Sequence, residues 1–129
     1  MAFRSFEELD VWKRACQLAV CVYQSTSDSK DFALRDQMRR AAISIASNIA
    51  EGAERTPKDF CRFLVIARGS AAELRTQAYI AVRVGQITAQ QMGHVVEETK
   101  GIAKMLVGLA RSVNTGKKDD RRKAARPEN

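Results

Sequence analysis

Residues 39–52 read RRAAISIASNIAEG. Ala41, Ala42, Ile45 and Ile49 recur at three- and four-residue spacing, so they share one face of an α-helix. Leu34 and Met38 carry the stripe backwards, which predicts a helix from Phe32 to Ala50 or Ala53. Gly52 stands where a helix can end in a left-handed conformation. Immediately after it, Thr56-Pro57-Lys58-Asp59 offers an N-cap, a proline at the first helical position and an acid in the first turn. A tight helix–helix connection around residues 52–56 follows, and the rest of the chain is arranged about that hairpin.

The partner helix is predicted over residues 57–84, with Phe60, Phe63, Leu64, Ala67, Ala71, Leu74 and Ala78 on its inner face and Gly85 as its stop. Thr88 and Gln91 have capping-box spacing and open a fourth helix. Its stripe runs Met92, Val95, Val96, Thr99, Ile102, Ala103, Leu106, Leu109, Ala110, Val113, and Asn114-Thr115-Gly116 is the expected end. Gly101 and Gly108 each weaken that helix by about 1 kcal/mol unless packing uses them. Upstream, Ser5 and Glu8 suggest a capping box for a first helix over residues 6–26, with Leu9, Trp12, Ala15, Cys16, Ala19 and Tyr23 as its stripe. Four amphipathic helices with short connections make an all-α, up-down-up-down antiparallel four-helix bundle. The bundle is assigned to residues 1–116, and the charged segment 117–129, KKDDRRKAARPEN, to a disordered tail.

The chain of 129 residues carries a formal charge of +7. Six basic against three acidic groups give the tail a net +3 of that total, either as a solubilising end or as a phosphate-binding arm. No apolar run reaches membrane-spanning length and the N-terminus lacks the apolar core of a signal peptide, so a cytoplasmic location is expected. Cys16, Cys21 and Cys61 show no CxxC spacing and are expected as reduced thiols, Cys16 packed inside and the other two available for contacts between subunits. The single histidine, His94, falls on a polar helix side with Gln91 three residues before it, so the Glu-x-x-His pattern of di-iron bundles is missing. Glu97 and Glu98 are adjacent and diverge on a helix, and no Gly-rich phosphate loop, Ser–His–Asp set or zinc spacing occurs. The expectation is a non-enzyme with no metal and no cofactor.

The central helices are greasier than a solitary bundle requires. Ile43, Ser47 and Ala50 lie off the core stripe of the second helix, and Val65, Gly69, Ala72 and Thr76 off that of the third. Small residues at such spacing admit another backbone closely, so these seven positions are read as an oligomer interface. Ser44, Asn48 and Glu51 on one helix and Arg68, Ser70 and Glu73 on the other form polar flanks, read as a structural network that sets helix register. Antiparallel pairing about residue 54 puts Arg40 level with Arg68.

Four segments together, FEELDVWKRA (6–15), QMRRAAISIASNIAEG (37–52), DFCRFLVIARGSAAEL (59–74) and KMLVGLARSV (104–113), resemble the bacterial family of 23S ribosomal RNA intervening-sequence proteins. The first loop departs from the family pattern: SDSKDFALRDQ lacks its Phe-Pro, and Ala33 precedes Leu34 where Gly-Leu is usual. The resemblance implies small basic four-helix bundles that assemble as homopentamers around a central channel. The accessory variability determinant proteins of diversity-generating retroelements look like a branch of the same fold, and those bind nucleic acid and a reverse transcriptase.

The function expected on this footing is non-specific nucleic-acid binding, to RNA or DNA, by an oligomer that pools its basic surfaces. Arg35, Arg39, Arg40, Arg55, Arg62, Arg75 and Arg83 are the candidate phosphate contacts, with Arg68 shared between that role and the polar network. Base reading is not expected, because aromatic residues are few and assigned to the core. The alternative is a protein-interaction scaffold that recruits a nucleic-acid enzyme such as a reverse transcriptase.

Overall fold

The computed structural model describes residues 3–125, with side chains through residue 116. A 3₁₀ turn at Phe6–Glu8 leads into α1 (Asp10–Ser25), α2 (Phe32–Ala53), α3 (Pro57–Arg83) and α4 (Ala89–Ala125). Consecutive helices are antiparallel neighbours and α1 closes against α4, so the chain is an all-α four-helix bundle with no strand among the described residues. Thr56 accepts from the Asp59 amide at 3.3 Å with Pro57 behind it. Thr88 and Gln91 exchange a reciprocal pair of bonds at 2.9 and 3.1 Å, a complete capping box. Gly85, at φ 75°, ends α3 in a conformation that only glycine adopts freely.

Four local expectations are corrected. Gly52 is not a left-handed cap: it is helical and buried, and α2 ends one residue later. It is there for close approach, since a Cβ would stand 2.6 Å from the Phe63 Cβ. The first helix starts at Asp10 rather than Phe6, because Leu9 is extended (ψ 121°). There Ser5 caps only the short 3₁₀ turn, and Glu8 accepts from Arg4. Asn114-Thr115-Gly116 does not stop α4: the Thr115 hydroxyl bonds back to the Arg111 carbonyl, no left-handed glycine forms, and the backbone runs on helically. The side chains of 117–129, on which the reading of a disordered tail rests, lie outside the described residues. Finally, Ser44 faces Ser70 across α2 and α3, so Arg40 does not lie level with Arg68. The extension of α2 to Ala53 moves the centre of the hairpin later.

The core is a continuous cluster in which the expected stripes of α2, α3 and α4 are inside: Met38, Ile45, Ile49, Leu64, Leu74, Ile102 and Leu106 are all essentially inaccessible. Helix α1 is rotated from expectation. Its buried face is Val11, Ala15, Leu18 and Val22, while Trp12, Cys16 and Ala19 are half-buried and Tyr23 is exposed. Two apolar stripes meet at Ala15. The purely aliphatic one turns inward, leaving the indole N–H and phenol of Trp12 and Tyr23 near solvent, where they need no buried partner.

Asp31 caps α2 by accepting from the Leu34 amide at 3.0 Å. The loop before it is pinned by one side chain from the α3–α4 connection. Gln86 Oε1 accepts from the Ser29 hydroxyl at 2.7 Å and from the amides of Lys30 and Asp31 at 3.0 and 3.1 Å. This clamp holds the first loop on its path although the proline of related loops is missing. Gln86→Ala is expected to cost about 1 kcal/mol and to speed hydrogen exchange at the Lys30 and Asp31 amides selectively; unchanged exchange there would refute the clamp.

Candidate functional site

The arginines divide by what their own chain does with them. Arg39 ties α2 to α1: its Nε donates to the Thr26 hydroxyl at 3.1 Å, a terminal nitrogen donates to the Tyr23 carbonyl at 3.2 Å, and the guanidinium stacks 4.3 Å from the Tyr23 ring. Arg35 bonds Asp36 at 3.0 Å and stacks on Phe32. Arg55 pairs with Glu51 at 3.0 Å, Arg62 lies 3.8 Å from Asp59, and both sit over the Phe63 ring. Arg40, Arg68, Arg75 and Arg83 have neither a salt bridge nor a side-chain hydrogen bond among the described residues. Among the further cations in the same state that were not singled out from the sequence, Lys100, Lys104 and Arg111 are exposed on α4. Their spacing of four and seven residues puts them on one helix face, and that was the available signal.

Of the polar flanks, the structure brings together Ser44, Asn48 and Ser70. The two serine hydroxyls are 2.9 Å apart, and Asn48 donates to the Ser44 carbonyl and hydroxyl at 2.8 and 2.9 Å. Glu51 goes to Arg55, Glu73 accepts from Gln77 at 3.3 Å, and Arg68 lies on the far side of α3, in a crevice with Leu106 and Val107 of α4. The second oxygen-bearing end of that pair, Gln77 Oε1, is buried with no hydrogen-bond partner among the described residues. A triad of small polar groups on the α2–α3 seam fixes register.

The seven interface candidates fall on two different surfaces. Ile43, Ser47 and Ala50 line an apolar groove of about 360 Å³ between α1 and α2, completed by Phe6, Trp12, Cys16, Ala19 and Ala46. Ile43 is 43% exposed despite its size. Val65, Gly69, Ala72 and Thr76 are all exposed along the outer ridge of α3, and a Cβ at Gly69 would meet nothing within 4 Å. One surface is a groove and the other an exposed strip of α3 whose first member, Val65, also lines the α3–α4 crevice. Burial pushes the Cys16 thiol in the groove above its ordinary pKa, which keeps it protonated and unreactive. Cys61 is used inside the chain, 3.7 Å from the Ala110 carbonyl and 3.4 Å from the Asn114 amide oxygen. His94 is exposed, and no group of three His, Cys, Asp or Glu is placed to hold a metal among the described residues. No helix there is long and apolar enough to cross a membrane.

These features define a basic antiparallel four-helix bundle with two unpartnered apolar surfaces and a set of uncommitted cations. The chain belongs to the 23S rRNA-intervening sequence protein family, whose model matches residues 7–108. A solved structure from Bacteroides thetaiotaomicron, a protein of unknown function from the S23 ribosomal protein family, is similar with a TM-score of 0.72 and 25% identity. The likeness covers 78% of this chain and 97% of that one. No curated protein matches the sequence.

Proposed function

We propose that the protein is a non-enzymatic bundle that assembles head to tail into a homo-oligomeric ring and holds nucleic acid, RNA foremost, on the cationic surface so pooled. The observation that carries the assembly is the separation of the apolar surfaces: an α1–α2 groove and an exposed α3 ridge on different faces of one chain. Such a pair makes a heterologous contact, which repeats around an axis and closes into a ring when the rotation permits. Five copies is the number that the family resemblance favours. Repetition multiplies the arginines that the chain does not consume itself, Arg40, Arg68 and Arg83 exposed and Arg75 half-buried, and supports sequence-independent phosphate binding that weakens with salt. A cytoplasmic location suits both cargo and free thiols.

Gel filtration with light scattering and absorbance at two wavelengths measures assembly and cargo together. Ile43→Asp breaks the groove and Gly69→Glu breaks the ridge, and each variant is expected to run as a folded monomer. Mixed in equal amounts they are expected to form a one-to-one dimer, because each retains the surface the other has lost. A wild type that stays monomeric when concentrated, or a mixture that stays monomeric, refutes the head-to-tail ring. The scaffold reading draws on the same groove, whose Trp12 and Phe6 walls suit an apolar anchor of another protein. It predicts a partner retained from the native host after Arg40 and Arg83 are reversed to Glu and lost on Ile43→Asp.

A further inference from the structure

Positive charge outnumbers negative on the outer side of α3 and α4. Of the acids of the two helices with described side chains, Glu98 is bonded by Arg14 of α1, Asp59 lies beside Arg62 and Glu73 accepts from Gln77; Glu97, three residues before Lys100 and seven before Lys104, alone shares the outer side of α4. The bases gather along the outer seam between the helices. Arg68 borders the α3–α4 crevice, and Arg75 and Tyr79 follow it at seven and eleven residues, hence on the same helix side. Lys100, Lys104 and Arg111 occupy the facing exposed side of α4. Contacts of Cys61 with Ala110 and Asn114 fix the antiparallel register. By that register Arg111 lies at one end, Arg68 and Lys104 are level, Lys100 and Arg75 come next, and Tyr79 closes the other end beside Gly93. Tyr79 is 45% exposed. The file is about 27 Å long at 1.5 Å per residue.

We propose that this seam is a track for single-stranded nucleic acid, with phosphates along the two files of cations and a base stacked on Tyr79. The proposal rests on the nucleic-acid reading above and gives it a surface. A solvated basic face would be the expectation if acids were interspersed, as they are around Arg35, Arg55 and Arg62. Here five cations stand against one acid, Glu97, and an exposed aromatic ring stands at the end of the file, the combination that single strands use and duplexes do not need. RNA and DNA single strands share this chemistry.

The test measures anisotropy of labelled oligouridylate, oligothymidylate and a duplex of equal length against the full-length protein over a salt series. The variant R68Q/R75Q/K100Q/K104Q is expected to lose at least tenfold in affinity and to flatten the log–log salt slope by about three, at about 0.7 per lost single-strand phosphate contact. Y79L is expected to weaken single-strand binding by about tenfold with an unchanged salt slope, as loss of one stacked base does. K13Q/K30Q, which removes exposed charge on α1 and the first loop, away from the seam, is expected to change little, and circular dichroism checks that all variants fold. Equal losses in the seam and control variants overturn the track while leaving nucleic-acid binding intact. So does a duplex bound as tightly as the single strands, or an inert Y79L. No binding by the wild type at low salt overturns both readings.

Discussion

Replacing Gly52 by leucine is expected to abolish the fold. The position lies in the last turn of α2, buried where α3 begins, and a Cβ there would stand 2.6 Å from the Phe63 Cβ and 3.0 Å from a Phe60 ring carbon. The first neighbour is the root of a side chain, so it cannot rotate away; the α2–α3 hairpin itself would have to open. Overpacking of a core costs about 1–3 kcal/mol for modest insertions, and four added carbons at a helix–helix contact exceed a modest insertion. Gly52→Ala is the sharper diagnostic. In an exposed helix interior that change stabilises by about 1 kcal/mol, yet here a net loss of about 1–2 kcal/mol is expected because the clash outweighs the gain. Gly108→Ala supplies the contrast: that glycine is exposed on α4 with nothing within 4 Å of a Cβ, and the change is expected to raise stability. Urea melts followed by circular dichroism decide the matter. A stabilised Gly52→Ala would mean that the glycine is there only to end the helix.

That glycine also shows what a sequence reveals and what it hides. The periodicity of α2, α3 and α4 was legible because each carries one dominant stripe, and Thr56-Pro57 and Thr88-Gln91 name their helix starts through local hydrogen bonds alone. Gly52 announces a helix end equally well whether it caps or packs, since the difference lies in Phe60 and Phe63, which reach it only after folding. Helix α1 offered two stripes meeting at Ala15, and local pattern cannot choose between them; the choice is made by the other three helices. The arginines were visible as charges but not as free or engaged ones. Arg39 is consumed by Thr26 and Tyr23 across a helix contact, whereas Lys100, Lys104 and Arg111 gain interest only once Arg68 is seen to border the α3–α4 crevice beside them. The surplus apolar residues were legible as surplus, and their division into a groove and a ridge required the rotation of each helix.

The thinnest seam of the bundle is that between α1 and α4, and among the described residues one ion pair spans it. Arg14 donates from Nε to one Glu98 oxygen at 2.6 Å and from a terminal nitrogen to the other at 3.3 Å, a forked pair in which the side chains are 35% and 23% exposed. Gly101 makes room for it, since a Cβ there would fall on the guanidinium, so the helix-weakening glycine has a packing use that Gly108 lacks. The forked bond to Arg14, foremost among the causes, holds the Glu98 carboxyl below the ordinary carboxylate pKa, with burial opposing it and His94 helping. A depressed folded-state pKa means that the pair's contribution is complete above the unfolded value of about 4.3 and is lost as pH falls through the lower folded value. Glu98→Gln is therefore expected to cost about 1–2 kcal/mol at pH 7, a charged hydrogen bond discounted for partial exposure. The difference from wild type should shrink towards nothing as the pH is lowered past the carboxylate range. Arg14→Ala should cost somewhat more at pH 7, because it also strips the aliphatic stem from the seam and leaves Glu98 half-buried without a partner. Trp12, the only tryptophan, sits two residues before Arg14 on α1 with its ring 5.2 Å from Phe6, so its emission reports whether α1 detaches. Urea melts at a series of pH values, read by that emission and by circular dichroism, separate two cases. If the clasp holds α1 in place, the tryptophan transition in both variants precedes the helical one; if the two stay coincident and the Glu98→Gln penalty persists at low pH, the pair is a surface ornament and the α1–α4 seam is held by Val11, Leu18 and Val22 alone.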